Sequence, residues 1–151
     1  MSAENSRKKP RTFYLVALFF LLVLGLTAIV YAISNGSAYA KAKRMPNPFP
    51  ATETNIDTGM KIYMDHCESC HGKDGDGKGD KADSLSVAPG NFTETKKMSQ
   101  LTDGQLYWQI TKGRRPMPSF EAKLSAEQRW QTVDYIRTFA LAPAGAPPPT
   151  Q

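Results

Sequence analysis

Every cysteine and every histidine of this 151-residue chain falls within six consecutive residues, His66-Cys67-Glu68-Ser69-Cys70-His71. Two cysteines close at most one disulfide, so no disulfide framework can hold the fold. The part that reads as globular, residues 55–141, is small, and its core alone is marginal. Domains of that size lean on a metal or a large bound group, and the place for it here is the Cys67–His71 cluster. Four chemistries compete for such a cluster: a calcium loop, a zinc site, a redox dithiol and a haem attachment site.

Calcium fails on ligand positions. The run "DGDGKG" that starts at Asp74 opens like an EF-hand loop, but Lys78 stands at its fifth position and Leu85 where the bidentate Glu belongs. Zinc would have to draw on His66, Cys67, Cys70 and His71. Neighbours along a chain rarely turn their side chains toward one tetrahedral centre, and no second Cys or His pair exists. A thioredoxin-like dithiol needs its C-x-x-C opening a helix in a βαβ setting. The surrounding pattern is helical throughout.

Ile56, Met60, Tyr63, Cys67 and Cys70 recur at helical spacing, which predicts an amphipathic helix, capped by Asp57 or Thr58, that runs into the motif. A second helix is predicted from Leu101 to Lys112, with Thr102 and Gln105 as a capping box, Leu106 and Ile110 inward, and Gly113 as its stop. Ser125 and Gln128 form the same box for a third, whose inner stripe is Trp130, Val133, Ile136 and Ala140. No stretch sustains a period of two, so the fold class is all-α. Between the first two helices, residues 72–100 hold six glycines or prolines and little period. A loop that long suits a compact domain only if it wraps something other than protein.

Haem attachment meets each of these conditions. In C-x-x-C-H the two thiols, three residues apart on a helical turn, add to the two haem vinyl groups, and the following histidine supplies Nε2 to the iron. Cys67 and Cys70 are therefore the expected covalent links and His71 the expected proximal ligand. His66, on the attachment helix, reads as a surface or packing histidine. A sixth ligand would come from the opposite face, where Met98 and Met117 are the methionines that could cross over.

These motifs, in this order, resemble the class I c-type cytochromes over roughly residues 58–140. The resemblance rests on Gly59 and Tyr63, then Cys67 to Gly72, then Gly75, Gly77 and Gly79, and Pro89 in "APGNF". It continues with Gly113, Met117 and Pro118 in "ITKGRRPMPSF" and with "LSAEQRWQTVDYIRTF". It implies a small fold of about three to five helices around one covalently bound haem c. It further implies Met117 as the distal thioether ligand and the Pro89 carbonyl as acceptor for the His71 Nδ1 proton. The first and last helices should cross near Gly59, with Trp130 and Tyr135 packed there. For Trp108 two roles stay open, a hydrogen bond from its indole to a haem propionate or packing beside the ring.

Residues 13–33 form a 21-residue run without a charge, enough to cross about 30 Å of hydrocarbon once. Arg7, Lys8, Lys9 and Arg11 precede it, which suits a cytoplasmic N-terminus over residues 1–12, although Lys41, Lys43 and Arg44 follow it. The competing reading is a signal peptide cleaved after Ala38-Tyr39-Ala40, but the run exceeds the usual ~7–15 apolar residues of such a peptide. Residues 34–54 read as a Pro-rich tether and residues 142–151 as a disordered Pro/Ala-rich tail. From Lys41 onward the net charge is only +2, too little to read as a nucleic-acid binder on charge alone. Lys112, Arg114, Arg115 and Lys123 offer either a basic rim for acidic redox partners or ordinary solvated charges.

The family attaches haem outside the cytoplasm. The expected protein is thus a single-pass cytochrome on the periplasmic or outer side of the cytoplasmic membrane. It would carry one electron at a time, as a mobile carrier or a respiratory-complex subunit, between partners such as a quinol oxidoreductase and a terminal oxidase. It is not expected to be an enzyme or to take a small-molecule substrate. The alternative is a haem c enzyme or gas sensor with an open distal site, which the lack of a distal histidine disfavours.

Overall fold

A computed structural model describes residues 11–141; Arg7, Lys8, Lys9 and the 142–151 tail lie outside the described residues. The chain divides into two compact units, the first ending at Ala38 and the second starting at Tyr39.

The first unit is helical. Helix α1, Arg11–Ala42, is long and apolar enough to cross a membrane, and its large apolar side chains are exposed on every side. It runs nine residues past the predicted end at Ile33. The stretch after Ile33 is rich in alanine and free of proline up to Pro46, so nothing local stops it.

The second unit is all-α, built from α2 (Glu53–His66), the single turn α3 (Glu68–His71), α4 (Thr95–Met98), α5 (Asp103–Lys112) and α6 (Ala126–Leu141). Helix α2 starts earlier than predicted. Thr52, not Asp57 or Thr58, caps it by accepting the Asn55 amide at 3.3 Å. The other two predicted boxes form as written. Thr102 and Gln105 exchange bonds of 2.9 and 3.3 Å, and Ser125 and Gln128 bonds of 2.8 and 3.1 Å.

Helices α2 and α6 make the central contact. At Gly59 the backbones come so close that a Cβ would stand 2.0 Å from the Gln131 carbonyl oxygen. No other residue permits that approach. Around it, Tyr63 on α2 meets Tyr135 and Phe139 of α6 at ring separations of 5.3 and 5.2 Å. Trp130, expected at the same crossing, is buried in the same core and also stacks on Tyr107 of α5 at 4.2 Å. Burial of Tyr63, Val133 and Tyr135, each at most 1% exposed, makes this aromatic layer the centre of the core.

The segment read as a tether is partly built into this unit. Ala42 is buried, and the Ala42 carbonyl lies against Gly104 at the start of α5. Asn47 donates to Asp134 Oδ1 at 2.7 Å, and Phe49 packs on the core. An extended, solvated spacer is therefore the wrong description for residues 39–50. Periodicity could not show this, because the contacts are made by single residues with partners tens of positions away.

Candidate functional site

Helix α2 ends where the chemistry begins. Cys67 still donates its N–H to the Tyr63 carbonyl at 2.8 Å, but its backbone turns out of register and a fresh turn, α3, carries Cys70 and His71. His71 N–H returns to the Cys67 carbonyl at 2.9 Å, so both cysteines and the histidine lie on one helical turn. The buried Tyr63 hydroxyl donates to the Gly72 carbonyl at 2.7 Å and fixes the end of that turn. Burial raises the Tyr63 phenol, so it stays protonated and remains a donor.

Cys67 and Cys70 are both half-buried, unpaired thiols. Burial, with the nearby Cys70, pushes the Cys67 thiol up to about 12. A disulfide-exchange cysteine is activated by the opposite shift, so this environment does not activate Cys67 as a redox thiol. Among the described residues no group of three or more His, Cys, Asp or Glu is arranged for a metal ion. Asp76 accepts the Lys78 amide at 3.0 Å and pairs with its ammonium at 3.3 Å, a polar turn rather than a calcium loop.

The long loop returns to the motif through its backbone. Gly77 N–H reaches the His71 carbonyl at 2.8 Å, Gly79 N–H that of Cys70 at 3.2 Å, and Lys81 N–H that of Ser69 at 2.8 Å. Gly79 is forced by proximity, since a Cβ there would lie 2.4 Å from the Glu68 oxygen. The loop then brings Gly90 to the histidine: Nδ1 of His71 is 3.1 Å from the Gly90 carbonyl. This corrects the expected acceptor, which was Pro89. The Pro89 carbonyl faces Gly77 instead, so the turn presents the next oxygen. A carbonyl can only accept, so Nδ1 carries the proton and Nε2 keeps its lone pair. Burial lowers the His71 pKa, with the Gly90 bond acting the other way. Phe92 stacks on the imidazole at 4.7 Å. Neither Gly90 nor Phe92 was singled out from sequence, and only their position after Pro89 in "APGNF" hinted at them.

His66 is exposed, 6.0 Å from the Phe120 ring, as a packing histidine would be. Met98 is a core side chain, 2% exposed. Met117 is half-buried against the core and sits in a tight turn, with Arg114 and Met117 exchanging backbone bonds of 3.0 and 2.8 Å. That segment is fastened to the end of α5 by Phe120 N–H to the Ile110 carbonyl, 3.1 Å, and by Ser119 Oγ to the Thr111 carbonyl, 2.6 Å. Of the four basic residues near it, Lys112 is paired with Glu121 at 2.8 Å, which lowers the Glu121 pKa; Arg114, Arg115 and Lys123 are exposed. Trp108 is half-buried with its ring edge-on to Tyr39 at 5.2 Å, and Tyr39 accepts from Gln105 Nε2 at 2.9 Å.

The donor set fits a haem c: two unpaired thiols and an imidazole with a free Nε2 on one turn, and a half-buried thioether elsewhere on the same core. The comparisons agree in kind. The family model described as cytochrome c oxidase, cbb3-type, subunit III matches residues 54–136. Cytochrome c6 of Euglena viridis is 24% identical over 91 residues, which cover 57% of this chain and 94% of that protein. A solved structure of the Kuenenia stuttgartiensis reducing HAO-like protein complex aligns with a TM-score of 0.54 and 31% identity, over 61% of this chain and 46% of that one. A second, a c-type cytochrome, aligns with a TM-score of 0.48 and 32% identity, over 54% of this chain and 95% of its own. The chain thus spans about half the length of the first of these two structures.

Proposed function

This chain belongs to the cytochrome c family that the cbb3-type oxidase subunit III model describes, and from that premise we propose that it is a membrane-tethered monohaem class I c-type cytochrome with His71 and Met117 as axial ligands. The family's general chemistry is electron transfer by haem c. In the proposed site Cys67 and Cys70 form the covalent links and His71 Nε2 faces the iron. Pro89 and Trp108 belong to the haem surroundings.

The observation that carries this reading is the bond from His71 Nδ1 to the Gly90 carbonyl, 3.1 Å long. It fixes the ring, selects the tautomer and raises the basicity of Nε2. When bound, the haem supplies an iron that gains and loses one electron. Ligation by Met117 would favour the reduced state and raise the potential relative to a bis-histidine site. With both axial positions filled by side chains the site has no place for a substrate, so this reading is of a carrier, not an enzyme.

Helix α1 supports an anchor that holds this unit at the outer face of the cytoplasmic membrane. Retention of the anchor is supported by Tyr39, whose ring packs on Trp108 and whose hydroxyl meets Gln105. A cut after Ala40 would remove that contact. Redox proteins are the partners this reading calls for, a quinol oxidoreductase and a terminal oxidase among them. The likeness to part of a reducing HAO-like complex favours, as a second form of the same reading, a subunit of a larger redox assembly.

The test is the oxidised spectrum of the full-length holoprotein. A weak far-red charge-transfer band is expected from thioether ligation, and Met117→Ala should abolish it while haem stays attached. A band that survives the substitution moves the ligand elsewhere.

A further inference from the structure

Arg129, in the first turns of α6, is a cation only 7% exposed; no carboxylate among the described residues is in ion-pair contact with it, although Glu121 lies near enough to feel its charge. Its Nε has no hydrogen-bond partner among the described residues. A buried charge in that state is costly, and an apolar side chain of the same volume would pack there without the penalty. What the guanidinium does hold is backbone. Nη1 donates to the Glu121 carbonyl at 3.2 Å and to the Leu124 carbonyl at 3.0 Å, and Nη2 donates to the Tyr107 hydroxyl at 2.9 Å. Its carbon sits 5.2 Å from the centre of the Tyr107 ring, which is itself stacked on Trp130.

One side chain therefore ties α6, α5 and the segment that follows Met117. We propose that Arg129 is a positioning residue, a clamp that keeps the Met117 turn closed and so sets how readily the thioether can be displaced. This rests on the reading of Met117 as the distal ligand. Glu121 lies four residues beyond Met117, and Ser119 and Phe120 are already bound to α5. Arg129 closes the far end of the same segment. For Met117 to leave, that end must lift, and the charge-assisted bonds from a desolvated cation are among those it would have to break.

The experiment titrates the oxidised full-length holoprotein with imidazole, following loss of the far-red band. Arg129→Met keeps much of the stem volume and removes the fork. It should raise the apparent imidazole affinity by about tenfold, the size expected for loss of a charge-assisted bond. Tyr107→Phe removes only the seat of Nη2 and should give a smaller change in the same direction. Arg129→Lys should fall between wild type and Arg129→Met. Amide hydrogen exchange, which needs no ligand assignment, should speed up at Phe120 and Leu124 in Arg129→Met and stay unchanged at α2.

An unchanged imidazole affinity together with a lowered melting temperature would make Arg129 a structural residue only and overturn the proposal. If wild type lacks the band, the Met117 reading has failed instead, and exchange at Phe120 and Leu124 decides the clamp. No acceleration there overturns it as well.

Discussion

On the His71 side of the site the chain holds itself. The loop that follows the motif returns within ten residues and bonds to it through backbone alone, with Gly77, Gly79 and Lys81 reaching the carbonyls of His71, Cys70 and Ser69. On the Met117 side the backbone closes a small turn and reaches α5 through Phe120 N–H to the Ile110 carbonyl, and the rest of the support comes from side chains. Ser119, the Lys112–Glu121 pair and Arg129 do that work. The first arrangement is local backbone bonded to backbone. The second draws on a similar stretch of sequence but hangs largely on side chains, so it can be weakened one contact at a time.

The largest effect should come from the local side. Cys67→Ala combined with Cys70→Ala removes both proposed links, and haem should be absent from the purified protein as read by its absorption. Stable retention of haem would break the contrast at its root. Next, Met117→Ala should keep the haem, lose the far-red band and lower the midpoint potential. This outcome separates attachment from tuning.

Two substitutions then probe how each side is supported. Gly79→Ala drives a Cβ to 2.4 Å from the Glu68 oxygen, where backbone meets backbone and neither can yield cheaply. Overpacking of this kind costs about 1–3 kcal/mol, read as a lowered unfolding midpoint. Ser119→Ala deletes the single 2.6 Å bond to the Thr111 carbonyl and should cost about 1 kcal/mol. Equal costs would erase the distinction between the sides.

The smallest effect tests whether the contrast stays confined to the site. Asp134, on α6, has its carboxyl raised to about 6 by burial, with the charge of Asp103 adding and the Asn47 amide opposing. The folded state therefore binds this proton more tightly than the unfolded chain, whose carboxyl titrates near 4. Stability is greatest below that range and is lost as pH rises from about 4 to 6. Asp134→Asn should flatten this dependence and leave the protein somewhat more stable above pH 6. Thermal unfolding of parent and variant at both ends of the range reads it, and the haem spectrum should not change.

How much of this was legible beforehand follows from the range of each interaction. The capping boxes at Thr102 and Ser125, the stop at Gly113 and the shared turn of Cys67, Cys70 and His71 all involve groups within four residues. Residue type and spacing therefore specify them. The same locality made the motif readable as a site for haem, because its three reactive groups need only one helical turn to meet.

What spacing could not supply is any pairing across the fold. That the oxygen facing His71 belongs to Gly90 and not Pro89 depends on how a 29-residue loop, 72–100, closes over the motif. Residues 39–50 looked like a spacer because proline and lysine imply solvation when nothing covers them. Only packing revealed that Tyr39, Ala42, Asn47 and Phe49 each find a partner. Arg129 is the extreme case: on a helix pattern it is one more surface charge, and it becomes a clamp only when α5, α6 and the Met117 segment converge on it. Local chemistry is written residue by residue, whereas burial and long-range partners exist only once the chain has closed on itself.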